Sequence, residues 1–287
     1  MRCVFHGSVT ALLTHAEAQL MMNESENSLM LGLLKRIEHG TLTTDQPLYL
    51  SVVHDGEFLG HALRTSTRTP LDMSRMSPAA AECIAGALFA QGTQLNKVVG
   101  VGETSKRFAD SWLKLAGGSI ESSLSQGIYE LRAVQMPDLA GGKLLIATVA
   151  DRAIVIDLLQ GFFKYQGASA EDSHERAASI ANRDLNLGKI TLWQDETGQV
   201  VSSATRVRET QNGVSISYVY TPKEFRRRGH AGRVVACLSQ RILDSGKQMC
   251  NLYTDMNNPT SNSVYRKIGY QLIAEGAEIT FSGTNDP

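Results

Sequence analysis

The chain has 287 residues, enough for two cores of ordinary size. Hydrophobic residues make up 42% and charged residues 20%, a globular balance that excludes disordered and fibrous classes. A formal net charge of -1 supplies no global field for nucleic acid or anionic lipid, so any basic cluster needs a local explanation.

In the first half, apolar residues at helical spacing over 16–37 (Leu20, Met21, Leu29, Leu33, Leu34, Ile37) predict one or two helices. Residues 48–53 and 58–63 read as short strands joined by a turn at His54, Asp55 and Gly56. Ser77 and Pro78 open a helix running to about 89, with serine as N-cap and proline at the first helical position. A strand over 97–101, a helix over 105–116 and a strand over 127–132 follow. Residues 136–142 hold a proline and two glycines without periodicity and read as a linker, dividing the chain into 1–137 and 143–287.

Beyond the linker come a strand at 143–147 and helices at 150–165 and 170–186. Strands at 189–194, 200–208 and 214–220 have turns at Glu196-Thr197-Gly198 and Gln211-Asn212-Gly213, the Asn-Gly being a hairpin signal. A helix at 230–245, a strand at 248–254, a helix at 260–268 and a strand at 271–281 complete an α+β unit around a mixed sheet.

The four cysteines (Cys3, Cys83, Cys237, Cys250) are scattered and include no CxxC, which suits free thiols in a reducing compartment. Cys237 and Cys250 fall at core positions of a helix and a strand. With no run of 18 apolar residues and no ordered leader, the expectation is a cytoplasmic protein with no membrane partner.

One loop carries chemistry. Tyr220-Thr221-Pro222-Lys223-Glu224-Phe225-Arg226-Arg227-Arg228-Gly229-His230-Ala231-Gly232 joins a strand to a helix. The first N–H groups of a helix lack internal acceptors, and the helix dipole adds positive potential, so such a junction suits a phosphate. Gly229, Ala231 and Gly232 let a ligand approach the backbone, and three arginines add fork-shaped donors. The plainer alternative is a solvated charge run with a glycine turn. Neither a Walker A sequence nor GxGxxG is present.

Arg226-x-x-Gly229-x-Ala231 resembles the Q/R-x-x-G-x-G/A signature of the GNAT superfamily of N-acetyltransferases. Leu252-Tyr253-Thr254-Asp255-Met256-Asn257-Asn258-Pro259-Thr260-Ser261-Asn262-Ser263-Val264-Tyr265-Arg266-Lys267-Ile268-Gly269-Tyr270 is similar to the segment those proteins show from their fifth strand through their fourth helix. The resemblance covers about 143–282 and implies a GNAT acyl-CoA N-acyltransferase fold with acetyl-CoA as cosubstrate. It implies that Arg226, Arg227, Arg228, Gly229, His230, Ala231 and Gly232 hold the CoA pyrophosphate, chiefly through backbone N–H groups. Tyr218, Val219 and Tyr220 would pair with the pantetheine arm, while Asn258 and Asn262 would contact CoA or cap their turn. Tyr265 would give a proton to the departing thiolate, with a packing tyrosine as the alternative. Asp255 is a candidate base, beside Ser217, Tyr218 or a water. Asn27-Ser28-Leu29-Met30-Leu31-Gly32-Leu33-Leu34, followed by the hairpin around Gly56, resembles the N-terminal half of tandem GNAT-type proteins, a degenerate copy, with an unrelated α/β domain as the alternative; the loop 100–106 lacks the signature, so this half should not bind CoA and should serve as substrate side or scaffold.

The implied activity is acetyl transfer to the primary amine of a small molecule or a protein by direct attack; a non-catalytic CoA-binding module is the alternative. Nucleic acid is not an expected partner, because no aromatic platform flanks the arginines. The oligomeric state is open, a homodimer included.

Overall fold

The computed structural model describes residues 1–283. The chain forms two compact units. The first comprises 1–129, 253–258 and the residues from 272 onward; the second comprises 130–252 and 259–271. These differ from the sequential halves read from the linker, because the last strand returns to the first unit.

The first unit runs β1 (Arg2–Phe5), α1 (Val9–Met21), α2 (Ser28–Glu38), β2 (Leu48–His54), β3 (Glu57–Arg64), β4 (Leu71–Met73), α3 (Pro78–Ala90), β5 (Lys97–Val101), α4 (Thr104–Ala116) and β6 (Ser119–Leu131). With β12 (Gln271–Ser282) its strand order is β1-β2-β3-β4-β5-β12-β6. The β2–β3 turn forms as expected, with Asp55 at φ +50° and Gly56 at φ +85°, the left-handed pair that a tight hairpin needs. β4 and β5 are parallel, and helix α3 connects them. The core packs α3 and α4 on the sheet through Leu50, Leu71, Ile84, Leu88, Val98, Phe108 and Trp112.

The second unit runs β7 (Gly142–Ile146), α5 (Arg152–Tyr165), α6 (Ala170–Asp184), β8 (Ile190–Asp195), β9 (Val200–Glu209), β10 (Gly213–Tyr220), α7 (His230–Asp244), β11 (Met249–Asp255) and α8 (Pro259–Lys267). Its strands lie in the order β11-β10-β9-β8-β7, antiparallel except for the parallel pair β10 and β11 that α7 joins. Leu158, Leu159 and Phe163 of α5 pack with Ala177 and Ile180 of α6 and Leu192 of β8. Up to β6 and then from β7 to β12, the chain twice repeats the succession β-α-α-β-β-β-α-β-α-β.

The sequence reading missed β1 and β4 and shortened β6. It began the first helical stretch at 16, seven residues after the start of α1, and placed the end of α2, α3 and every element after the linker within a few residues. Cys250 is fully buried and Cys237 half-buried, both as free thiols. No helix among the described residues is long and apolar enough to cross a membrane.

Candidate active site

The site is built on β10. Its pairing with β9 slips between Ser217 and Tyr220. Within this bulge Tyr218 has φ +52°, a left-handed conformation costing a non-glycine residue about 1–2 kcal/mol. On the opposite edge, parallel pairing with β11 runs only from Gly213 to Ser215. Beyond Ser215 the backbone of β10 has no β11 ladder among the described residues, leaving main-chain groups of Ser217 to Val219 for an extended ligand.

After Tyr220 the chain makes a short 3-10 turn over Lys223–Phe225, then Arg226 is extended and Arg227 adopts φ +64°. Gly229, at φ +81°, is the N-cap of α7 and supplies no side-chain cap. Alternating backbone handedness of this kind turns neighbouring N–H groups into one concavity. The first N–H groups of α7, those of His230, Ala231 and Gly232, have no acceptor within the helix. A 15-residue helix adds its positive end at the same place. An added Cβ on Gly229 would come no nearer than 3.7 Å to Arg233, so it is the left-handed φ that calls for glycine here.

The three arginines are not equivalent. Arg226 is folded back: its Nε donates to the Thr221 carbonyl at 2.9 Å, and its guanidinium lies over the rings of Tyr165 (4.9 Å) and Tyr220 (5.7 Å). It braces the loop, while Arg227 and Arg228 are exposed. Arg233, which the sequence reading did not single out, donates from Nη1 to the Arg228 carbonyl at 2.9 Å and from Nε to the Asp138 carbonyl at 2.8 Å. Its only sequence signal was its place one turn beyond Gly229 on α7. His230 is 7% exposed, and its Nδ1 has no hydrogen-bond partner among the described residues. Burial lowers its pKa, the Arg233 charge lowers it further, and Asp195 opposes them. A neutral imidazole with an orphaned nitrogen therefore opens the helix that forms the anion cradle.

Asn262 and Tyr265 lie three residues apart on one face of α8, 4% and 8% exposed. The Tyr265 ring meets Tyr270 edge-on at 6.0 Å, and burial pushes its phenol up to about 12. Gly269 ends this helix at φ +105°, where a Cβ would come within 2.8 Å of the Ala133 carbonyl.

Residues 194–278 match a family model described as FR47-like protein. No curated protein matches the chain by sequence. Several solved structures are similar along nearly the whole chain. A GCN5-related N-acetyltransferase from Sphaerobacter thermophilus has a TM-score of 0.63 at 15% identity, covering 97% of this chain and 95% of its own. A GNAT-family acetyltransferase from Colwellia psychrerythraea has a TM-score of 0.59 at 11% identity, covering 98% and 100%. A tandem GNAT protein from the clavulanic acid biosynthesis pathway has a TM-score of 0.56 at 13% identity, covering 99% of each chain. The chain has the GNAT fold.

Within that GNAT fold, the first unit's counterpart of the arginine–glycine loop is 74–77, between β4 and α3, rather than the 100–106 segment weighed from sequence, which leads from β5 into α4. Here Pro78 at the first helical position has no N–H, and Ser77 Oγ accepts from the Ala80 N–H at 3.3 Å. β4 stays paired with β5 through its last residue, Met73. Arg75 is bound in bidentate fashion to the buried carboxylate of Glu26, at 2.8 and 3.0 Å. The anion cradle of the second unit thus has no equivalent at this junction.

Asp255 and Asn258 group with the first unit. Asp255 Oδ1 accepts from the Asn257 N–H at 2.8 Å and its carbonyl accepts from Asn258 N–H at 3.0 Å, so Asp255 shapes the turn that precedes α8.

Proposed function

We propose that this chain is an N-acetyltransferase that moves an acetyl group from acetyl-CoA to a primary amine, small molecule or protein-borne, by direct attack in a ternary complex. The observation that carries the reading is the uncapped start of α7 behind left-handed Arg227 and Gly229, set at the end of a strand whose neighbouring edge is open. That arrangement suits a pyrophosphate joined to an extended arm. Backbone N–H groups from Arg228 to Gly232 would take the pyrophosphate, and Arg227 and Arg228 would add charge from the exposed side. Arg226 and Arg233 would keep the loop in shape. The Ser217 to Tyr220 segment would receive the arm, and Asn262 the amide groups near it.

In the reaction a neutral amine attacks the thioester carbonyl, the C–S bond breaks, and the thiolate takes a proton while the new amide nitrogen loses one. Tyr265, held protonated by burial, supplies the proton or a hydrogen bond to the sulfur. Ser217, Tyr218 or a water would accept the other proton. Burial raises the pKa of both nearby thiols, Cys237 and Cys250, which makes them poor acyl carriers and favours direct attack. The first unit would serve as scaffold or substrate side.

Calorimetric titration of acetyl-CoA into the wild type and into Gly229→Glu, both checked for native circular dichroism, tests the reading. Binding by the wild type should be lost in the variant, which puts a carboxylate in the cradle. A folded wild type that does not bind acetyl-CoA would overturn the proposal; binding without turnover of any amine would favour a CoA-binding module.

A further inference from the structure

The loop that opens α7 is held from outside by the end of α5. Arg226 Nε donates to the Thr221 carbonyl at 2.9 Å, which closes residues 221–226 on themselves. The guanidinium lies 5.7 Å from the ring of Tyr220, the last residue of β10, and 4.9 Å from that of Tyr165, the last residue of α5. Among the described residues no ion pair joins Arg226 to a carboxylate, so two rings and one carbonyl hold it. Each ring is placed by its own surroundings. Ser202 Oγ donates to the Tyr220 carbonyl at 3.0 Å. Gly161 lets α5 approach Tyr220 so closely that an added Cβ would lie 2.5 Å from its ring. Tyr165 stands on a firm helix end: the N–H groups of Gln166 and Ala168 both donate to the Phe163 carbonyl, at 3.0 and 3.1 Å, around Gly167 at φ +89°. Yet Tyr165 is 60% exposed, so core packing does not account for a large ring at this position.

We propose that Tyr165 is a positioning residue: its ring holds the Arg226 guanidinium, and Arg226 fixes the backbone one residue before left-handed Arg227, keeping the loop's N–H groups turned toward the CoA pyrophosphate. This rests on the acyl-CoA reading above. A non-glycine residue keeps a left-handed backbone only when its surroundings over-determine it. The Arg227 side chain is exposed, so the constraint on its φ of +64° comes along the chain, from Arg226 on one side and from Gly229 and α7 on the other. A planar guanidinium can lie against two rings while its Nε still donates to a carbonyl, which is why arginine suits the first position of this loop. If Arg226 swung free, φ at 227 would relax to negative values and the concavity would open. The whole cofactor and its nucleotide half would lose the same contacts.

The test uses the full chain and two probes: acetyl-CoA, and adenosine 3′-phosphate 5′-diphosphate, which shares the pyrophosphate and lacks the arm. Tyr165→Leu keeps an apolar side chain but removes the π face, and should weaken both probes about fivefold. Tyr165→Phe keeps the face and should stay within about twofold of the wild type. In an Arg226→Gln background, where no charge is left to stack, Tyr165→Leu should change either affinity less than about twofold further. A Tyr165 that touched the nucleotide itself would keep its full effect there. If Arg226→Gln does not fold, Arg226→Met, equally uncharged, takes its place. No weakening by Tyr165→Leu, weakening of acetyl-CoA alone, equal weakening by Tyr165→Phe, or an undiminished effect without the Arg226 charge overturns the role of Tyr165 alone. A wild type that binds neither probe overturns it together with the acyl-CoA reading.

Discussion

Tyr265 shows how much one buried side chain can be asked to do. The sequence placed it by resemblance; the structure adds that it is 8% exposed and that burial pushes its phenol up to about 12. Such a phenol stays protonated throughout the working range, so it can donate to a developing thiolate at any ordinary pH. Replacing it by phenylalanine keeps the packing against Tyr270 and removes the donor. Tyr265→Phe should lower kcat about a hundredfold and leave the calorimetric affinity for acetyl-CoA unchanged. Its loss should also leave the alkaline side of the pH profile as it was below pH 10, because the group does not titrate there. Unchanged kcat would reduce Tyr265 to a packing residue. Arg226 is the counterexample at this scale. It is the first residue of the signature, yet its Nε donates to the Thr221 carbonyl and its plane lies over two tyrosine rings. A motif gives the residue type, while the partner it meets decides the role, and only the fold supplies the partner.

Among elements, legibility followed length and amphipathic contrast. Helices α3, α5, α6 and α7 carry helical apolar spacing and were read within a few residues. β1 and β4, of four and three residues, are too short to show a period. The first six residues of β6, Ser119 to Leu124, are exposed and mostly polar, so nothing in them alternates. What no pattern could show is the hydrogen-bonded chain linking β1, β2, β3 and α1. His6 Nε2 meets Ser51 Oγ, Ser51 Oγ meets His61 Nδ1, and His61 Nε2 meets Gln19 Oε1, each at 2.8 Å. The imidazoles of His6 and His15 and the ring of Phe58 complete its surroundings. Burial, with His6 and His15 as like charges, lowers the His61 pKa from 6.5 to about 4. The unfolded state therefore binds the proton first. This contribution is fully present above pH 6.5 and is lost as pH falls from 6.5 toward 4, by about 3 kcal/mol for the 2.5-unit difference. Urea melts at pH 7 and pH 4.5 should show that loss in the wild type and a smaller one in His61→Gln. Equal pH sensitivity of the two proteins would show that the loss arises elsewhere.

For the whole molecule, the repeated order of elements invites the view of two consecutive domains, and the glycine-rich stretch near 136–142 marks an obvious place to cut. The packing says otherwise. β12, the last element of the chain, pairs with β5 from Gly276↔Val101 to Thr280↔Lys97. Its Ala277, Ile279 and Phe281 lie in the same core cluster as Val98, Phe108 and Trp112. Residues 253–258 join that unit as well. A fragment ending at residue 137 would lack a strand from the interior of its sheet and bare the backbone edge of β5. The side chains lost are not marginal: removing one buried phenylalanine such as Phe281 costs about 3–5 kcal/mol, a large part of an ordinary domain's stability. Residues 1–137 produced alone should therefore show no cooperative urea transition, whereas Phe281→Ala in the full chain should remain folded and melt at lower denaturant. A fragment 1–137 that unfolds cooperatively near the full-chain midpoint would show that β12 is dispensable to the first unit. The expected result would make the repeat in sequence order and the unit of folding two different things, with the C-terminal strand needed to close the sheet that the N-terminal residues begin.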